Sequence, residues 1–196
     1  MILFGITSGG GVFIAQFWGK KDIGGIRKSL GLMTVIAIFT SVIFTILGLF
    51  IPHKMISLYS PDPQVIKVGG TYLRYVCLSY IPTAISFSIT LALRSTERVK
   101  LPLVCTAISL SINVIANYLL IFVAGLGVKG AAIATIIARF IELFILVIWS
   151  YSHKYEICGK LKEHLSYNKN FVFKYIKIAL PVIINETFWG LGTSVY

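Results

Sequence analysis

Six long apolar stretches are the feature of this sequence that most restricts its fold. They cover roughly residues 2–18, 29–51, 68–93, 101–124, 129–151 and 172–196. A helix needs about 20 mostly apolar residues to cross a bilayer, with a range of about 17–25. Backbone polar groups in lipid must be bonded within the chain, so such a stretch is best formed as a spanning helix. The pattern predicts an all-α membrane protein, a polytopic bundle of about six transmembrane helices.

Composition supports a membrane protein and argues against a soluble one. Only 13% of the residues are charged and 57% are hydrophobic, whereas average soluble domains carry about 25% charged residues. The formal net charge of +11 does not indicate a nucleic-acid partner, because Lys and Arg cluster between the apolar stretches. We therefore expect the lipid bilayer as the surroundings of the chain and no nucleic acid as a partner.

The basic residues are concentrated in alternate connections. The first, third and fifth connections and their flanks contain thirteen of the 18 Lys and Arg: Lys20, Lys21, Arg27, Lys28, Arg94, Arg98, Lys100, Lys154, Lys160, Lys162, Lys169, Lys174 and Lys177. The second and fourth connections contain only Lys54, Lys67 and Lys129.

This alternation predicts the orientation of the chain, because short loops rich in Lys and Arg stay in the cytoplasm. Residues 20–28, 94–100 and 152–171 are predicted to be cytoplasmic, and residues 52–67 and 124–129 are predicted to lie outside. The chain is then a multi-pass protein of the cell membrane, and its N-terminus is predicted on the outer side.

Residue types that commonly carry catalysis or bind metals are scattered. They are Cys77, Cys105, Cys158, His53, His153 and His164. The cysteines form no CxxC pair, and the histidines lie far apart in connections. The sequence therefore predicts no metal site, no cofactor and no enzymatic activity. A membrane-embedded transferase is the alternative from a different functional class.

The fourth stretch carries one polar stripe along an otherwise apolar helix. Thr106, Ser109, Asn113 and Asn117 are spaced three, four and four residues apart, so they share a helical face. Such stripes are expected to face each other or a wet cavity. One interpretation is hydrogen bonding between helices, which is common for these residue types. For Asn113 and Asn117 the other interpretation is a site, since two carbonyl oxygens one turn apart can hold a cation or a ligand.

The fifth stretch carries Thr135, Arg139 and Glu142, again on one face. Arg139 is about ten residues into the stretch, which places it roughly 15 Å deep. An unpaired charge there costs at least about 2.5–3.5 kcal/mol on insertion scales, and Glu142 can serve as its partner. Two interpretations stay open for Arg139 and Glu142: a structural ion pair that holds helices together, or a gate or ligand contact.

Glu186 is an acid in an apolar stretch without such a local partner. The nearest basic residue in sequence is Lys177, about 13 Å away along a helix. Burial disfavours the charged form of a carboxyl group, so it can exchange a proton or bind a monovalent or organic cation. An intramembrane acid is a functional candidate by default. The alternative is a structural acid held by hydrogen bonds.

Four segments of the chain resemble the multidrug and toxic compound extrusion (MATE) family in the family's order. They are GGGVFIAQFWGKKD (9–22), LRSTERVKLP (93–102), INVIANYLLIFVAGLGVKGAAIAT (112–135) and LPVIINETFWGLG (180–192). The third is the most specific, since asparagines precede a glycine-rich turn and a Gly-Ala-Ala-x-Ala-Thr sequence. One departure is visible after Arg94, where Ser95 or Thr96 and Arg98 stand in place of the family's usual glycines.

The resemblance implies a partial MATE-type fold. Complete members have two six-helix lobes related by a pseudo-twofold axis along the membrane normal. This chain resembles helices two to seven, with residues 1–165 as an incomplete N-terminal lobe with its cytoplasmic linker. Residues 166–196 then correspond to the first helix of the C-terminal lobe. The missing helices of the full-length protein are expected partners.

The resemblance also assigns candidate residues. Asn113 and Asn117 match fifth-helix positions of the N-lobe polar site, and Thr135 matches a sixth-helix position of the same site. Asn117 stands where some relatives have Asp, so this site is expected to carry less charge. Glu186 matches the acid of the seventh helix, which in part of the family is implicated in cation or drug binding. The first-helix acid of many members has no counterpart here.

The function that the resemblance implies is antiport. Such a protein exports small organic, often cationic, compounds in exchange for Na⁺ or H⁺ and needs no cofactor beyond that ion. The alternative within the superfamily is a lipid-linked saccharide flippase, for which a larger and more cationic cavity is expected.

The predicted orientation can be tested by cysteine labelling. We expect a cysteine at Ser166 to react with an impermeant thiol reagent only from the cytoplasmic side, and a cysteine at Ser60 only from outside. The ratio of labelling in intact cells to labelling in inverted vesicles measures both. Labelling of Ser60→Cys from the cytoplasmic side would refute the orientation.

Overall fold

A computed structural model describes residues 2–195, with the side chains of residues 2, 191, 194 and 195 left aside. This part of the chain is helical and contains no strand. The α-helices are α1 Ile2–Gly19, α2 Ile23–Phe50, α3 Pro52–Ser57, α4 Pro63–Val76, α5 Tyr80–Ser95, α6 Lys100–Asn117, α7 Gly127–Ser152, α8 Leu161–His164 and α9 Lys169–Val195. A 3₁₀ turn at Cys77–Ser79 joins α4 to α5, and a π-helical segment, Tyr118–Val123, continues α6.

Four helical runs in the described residues are long and apolar enough to cross a bilayer. They are Ile23–Phe50, Pro63–Ser95, Lys100–Val123 and Gly127–Ser152. They match the four central apolar stretches of the sequence and establish a multi-pass helical protein. The first and last predicted stretches lie in α1 and α9, which are helical but do not belong to this group of four.

Two compact units make up the described chain. One contains the described residues within 1–39, 84–103 and 146–196, and we call it the first unit. The second unit contains residues 40–83 and 104–145. The predicted division into lobes at residue 165 concerns the complete protein and stays a prediction.

In the first unit, helices α1 and α9 approach each other through small residues. A Cβ added at Gly9 would lie 2.7 Å from Ala179 Cα, and one added at Gly5 would lie 2.8 Å from Ile183 Cα. Gly5 and Gly9 are one helical turn apart, which is the small-xxx-small pattern of close helix packing in membranes. Only glycine allows the two backbones to come this close.

Three basic connections share one face of the first unit. Arg27 Nη1 pairs with Glu163 Oε2 at 2.9 Å, and Arg98 Nη2 pairs with Glu156 Oε1 at 3.1 Å. The carbonyl of Arg27 also lies 2.9 Å from His164 Nδ1. Residues 20–28, 94–100 and 152–171 are therefore on the same side of this unit, as the alternation of charge requires. That this side is cytoplasmic stays a prediction.

In the second unit, a glycine-rich reversal turns the chain from α6 into α7. Gly125 and Gly127 have φ angles of +66° and +53°, in the left-handed region that favours glycine. A Cβ added at Gly130 would lie 2.8 Å from the carbonyl oxygen of Leu120. The start of α7 therefore packs directly against the end of the π-helical segment, which aligns the polar faces of α6 and α7.

Candidate functional site

The polar stripes of α6 and α7 meet at one cavity of the second unit. Its volume is about 280 Å³. It is lined by Thr106, Ser109, Leu110, Asn113, Thr135, Ala138 and Arg139. We call it the α6–α7 cavity. It lies among residues that the sequence singled out for their spacing, and it combines amide, hydroxyl and guanidinium groups in otherwise apolar helices.

Asn113 and Thr135 line the cavity, and Asn117 supports it from one turn away. The Asn117 side-chain amide donates a hydrogen bond of 3.0 Å to Asn113 Oδ1, which fixes the orientation of Asn113. The Thr135 hydroxyl donates to the carbonyl of Ala131 at 3.0 Å. That bond uses the hydroxyl proton, so the oxygen presents lone pairs to any group in the cavity. The Thr135 oxygen and the second lone pair of Asn113 Oδ1 are thus acceptors suited to a cation or a polar ligand.

Arg139 and Glu142 form an ion pair at the same cavity. Arg139 Nη1 lies 2.7 Å from Glu142 Oε2. The Glu142 side chain is only 7% exposed, whereas that of Arg139 is 38% exposed and lines the cavity. The carboxylate keeps the guanidinium charge balanced, so the cavity carries no net charge from this pair. The two charged groups differ in exposure, since the Glu142 carboxylate is enclosed and the Arg139 guanidinium faces the cavity.

Two residues of the α6 stripe support Glu142. Thr106 Oγ1 lies 3.4 Å from Glu142 Oε1, and Ser109 Oγ lies 3.4 Å from Glu142 Oε2. Ser109 Oγ is also 3.1 Å from the carbonyl of Ala138. The spacing predicted that Thr106 and Ser109 share the stripe, but it did not predict their contacts with Glu142 of α7.

A signal for this connection exists in the sequence. In an antiparallel helix pair, facing residues are equally far from the turn. Thr106 and Glu142 each lie 18 residues from Ala124, and Asn113 and Thr135 each lie 11 residues from it. Counting outward from the reversal therefore aligns the two helices in the register that the structure shows.

Glu186 lies on α9 and belongs to the first unit, whereas the α6–α7 cavity belongs to the second. It is half-buried, and its Cβ would be 3.2 Å from a Cβ added at Gly5 of α1. Its carboxylate has no hydrogen bond or ion pair to any other described residue. Pro181, five residues earlier, is inside the same helix, and its missing N–H leaves a backbone carbonyl of α9 without its helical bond.

Five of the other six acids have structural partners, and the sixth, Glu97, is exposed in a connection, so Glu186 is the half-buried acid without a described partner. Asp22 accepts a bond of 2.9 Å from the Gly25 N–H, and Asp62 accepts one of 2.8 Å from the Gln64 N–H. Each carboxylate thereby satisfies a free N–H at the start of a helix. Glu142, Glu156 and Glu163 are held in the ion pairs described above. Within residues 2–195, no group of three or more His, Cys, Asp or Glu side chains is arranged to hold a metal ion.

Comparison with known proteins places this arrangement in a family. The sequence profile of the MatE family matches residues 1–119. The chain therefore belongs to the MatE family.

Individual relatives and solved structures agree with this assignment. The chain is 23% identical over 187 residues, 92% of its length, to "Probable multidrug resistance protein YoeA" of Bacillus subtilis. It is 29% identical over 154 residues, 76% of its length, to "Multidrug and toxin extrusion protein 1" of Rattus norvegicus. A crystal structure of MATE in the bent conformation superposes on 95% of the chain with a TM-score of 0.85 at 16% identity, which establishes a common fold.

The chain spans only part of the proteins that it resembles. It covers 40% of the Bacillus protein, 27% of the rat protein and 42% of the MATE crystal structure. The shared fold therefore concerns a segment of those proteins.

The balance of charge at the α6–α7 cavity can be tested with Glu142→Gln. This change removes the partner of Arg139 and leaves a guanidinium uncompensated, so we expect a loss of about 2–3 kcal/mol in the free energy of unfolding. Arg139→Gln/Glu142→Gln should recover most of that loss, because both charges are gone. Denaturant unfolding in detergent micelles measures these two variants and Arg139→Gln as a double-mutant cycle.

Glu97→Gln is the matched control, since Glu97 is an exposed acid in a connection. Its stability should equal that of the unmodified chain. Equal stability of Glu142→Gln and the unmodified chain would show that Glu142 does not stabilise the packing of α6 against α7.

Proposed function

We propose that this chain is part of a secondary active transporter that exports small organic, often cationic, compounds. Export is driven by antiport of Na⁺ or H⁺ across the cytoplasmic membrane. Membership of the MatE family supports this proposal. So do the names of the relatives, a multidrug resistance protein and a multidrug and toxin extrusion protein.

Glu186 is the observation that carries the proposal. It is a half-buried acid on an apolar helix, and no described residue pairs with it. A structural acid in such a place would be expected to accept hydrogen bonds or pair with a base, as Glu142 does. An acid left without a partner can instead bind a proton, Na⁺ or the ammonium group of a substrate in turn. These three occupants exclude one another on one carboxylate, which is the condition for exchange.

The α6–α7 cavity supplies the second polar site of the proposal. Asn113 and Thr135 offer oxygen acceptors, and Asn117 holds Asn113 in place. Because Glu142 balances Arg139, the cavity does not repel a cation as a lone guanidinium would. In this proposal the site binds a cation or a polar substrate group, with no metal or cofactor beyond the coupling ion. The N-terminus of this segment faces the outside, and the missing helices of the full-length protein complete the pathway.

The α6–α7 cavity also bears on the alternative of a lipid-linked saccharide flippase. That activity calls for a large and strongly cationic cavity. Here the volume is about 280 Å³, and Arg139 is the one basic residue among its lining residues, already neutralised by Glu142. These properties favour export of organic cations.

Glu186→Gln in the complete transporter that carries this segment tests the proposal. The change preserves size and hydrogen bonding but removes the negative charge. We expect the affinity for an organic cation such as tetraphenylphosphonium to fall by about tenfold or more, since hydrogen bonds to charged groups contribute about 1.5–3 kcal/mol. In the unmodified protein, cation affinity should fall as the pH is lowered, because protons compete for the same carboxylate. In Glu186→Gln this dependence should flatten.

Two controls separate function from folding. Glu186→Asp keeps the charge and should restore a measurable pH dependence, and Glu97→Gln should transport normally because Glu97 is exposed in a connection. Cation efflux and protein abundance are measured together in each variant. Normal, pH-responsive efflux by Glu186→Gln would remove Glu186 from the mechanism.

A further inference from the structure

Three lysines of the first unit line one cavity without acidic partners. The cavity has a volume of about 420 Å³. It is lined by Gly24, Arg27, Lys28, Lys160, Lys162, Glu163 and Ser166. A second cavity of about 310 Å³ adjoins it through the shared residues Lys28 and Ser166, and is completed by Tyr167, Asn168 and Phe171. We call the two together the basic pocket.

The one acid of the basic pocket is already fully engaged. Glu163 Oε2 accepts hydrogen bonds from Arg27 Nη1 at 2.9 Å and from the backbone N–H of Lys160 at 3.0 Å. It therefore neutralises Arg27 and caps the short helix α8. Among the described residues, no carboxylate lies within ion-pair distance of the ammonium groups of Lys28, Lys160 or Lys162. The pocket thus carries an excess of positive charge, and a bound anion would relieve the repulsion between these groups.

Lys28 is the central member of the basic pocket. It is half-buried, whereas Lys160 and Lys162 are exposed. A surface lysine normally extends its ammonium group into water while its aliphatic part covers apolar surface. Lys28 instead lines both cavities from the side of α2, opposite the connection that carries Lys160 and Lys162.

The pocket lies at the predicted ends of two apolar stretches. Lys28 is the residue immediately before the apolar stretch 29–51, and Phe171 is immediately before the stretch 172–196. Tyr167 and Phe171 line the same pocket, and aromatic side chains of this kind are enriched at the level of lipid headgroups. A ligand bound here therefore meets ammonium groups on one side and the edge of the apolar core on the other.

From this combination we propose that the basic pocket binds the phosphate headgroup of an anionic phospholipid. Lys28, Lys160 and Lys162 contact the phosphate, and the Ser166 hydroxyl and the Asn168 amide donate hydrogen bonds to it. The Asn168 carbonyl oxygen accepts the Phe171 N–H at 2.9 Å, and the amide NH₂ remains able to donate to a ligand. Basic pockets between transmembrane helices on the cytoplasmic side are known to recognise such headgroups. The lipid then bridges α2, the connection and α9.

Lipid titration of the 196-residue chain tests the site. Native mass spectrometry in detergent measures the affinities for phosphatidylglycerol and for phosphatidylcholine with the same acyl chains. We expect preferential binding of phosphatidylglycerol, and we expect Lys28→Gln to lower that affinity by about fivefold, since each basic residue near an anionic lipid contributes about 1 kcal/mol. Lys162→Gln, at an exposed position, should have a similar effect. The affinity for phosphatidylcholine should not change.

Lys20→Gln is the matched control, because Lys20 is on the same basic face but does not line the pocket. It makes the same change in net charge and should leave both affinities unaltered. Equal losses in Lys20→Gln and Lys28→Gln would overturn the proposal and indicate a diffuse surface field. Inorganic phosphate that displaces phosphatidylglycerol at comparable concentration would also overturn it, since the acyl chains would then contribute nothing. Circular dichroism of each variant verifies that the helices are intact.

Discussion

Hydrocarbon offers no hydrogen-bond partner, and this constraint decides where the polar groups of the chain are placed. Several Ser and Thr hydroxyls in the long helices donate to a carbonyl one turn back on their own helix. Examples are Thr34, Thr45, Ser88, Ser111, Thr135 and Thr187. Such a hydroxyl needs no neighbouring helix and exposes little polarity to lipid. A stripe of Ser and Thr is therefore compatible with a helix that faces lipid, and the amides and charges define the site.

The same constraint separates two kinds of intramembrane acid. Glu142 is enclosed and bonded to Arg139, with Thr106 and Ser109 beside it, so its charge is compensated locally. Glu186 is half-buried and has no partner among residues 2–195. A carboxylate in an apolar helix without a partner destabilises the fold, and packing alone gives no reason for its presence. The contrast between the two acids indicates a structural role for Glu142 as the partner of Arg139, and it is the basis of the exchange role proposed for Glu186.

The sequence was sufficient to predict the four central spans and the reversal. The apolar stretches match the central helices, and the glycines at 125 and 127 adopt the left-handed φ that the turn requires. The pair of Arg139 with Glu142 follows from their spacing of three residues on one helix. These features depend on local geometry, which a single sequence contains.

Some features that depend on long-range contacts were not predicted. Nothing in the spacing indicated that Glu156 and Glu163 of the last connection pair with Arg98 and Arg27. The interruption between α4 and α5, at Cys77–Ser79, was also not predicted. Pro82 has no N–H to donate to the carbonyl of residue 78, which accounts for an irregular turn before it. The Thr45 hydroxyl lies 3.1 Å from the carbonyl of Cys77 in this turn.

The central claim is that this chain is part of an exporter of organic cations, which requires that the polar face of α6 meets a wet cavity that receives the cation. The most direct test is the reaction of Asn113→Cys with an impermeant cationic thiol reagent, in a membrane-embedded chain whose native cysteines are replaced by alanine. Ile115→Cys, on the opposite side of the same helix, is the reference. The account predicts that Asn113→Cys reacts faster than Ile115→Cys and that tetraphenylphosphonium slows only the first reaction. Equal rates at the two positions, or no protection by the cation, would contradict it.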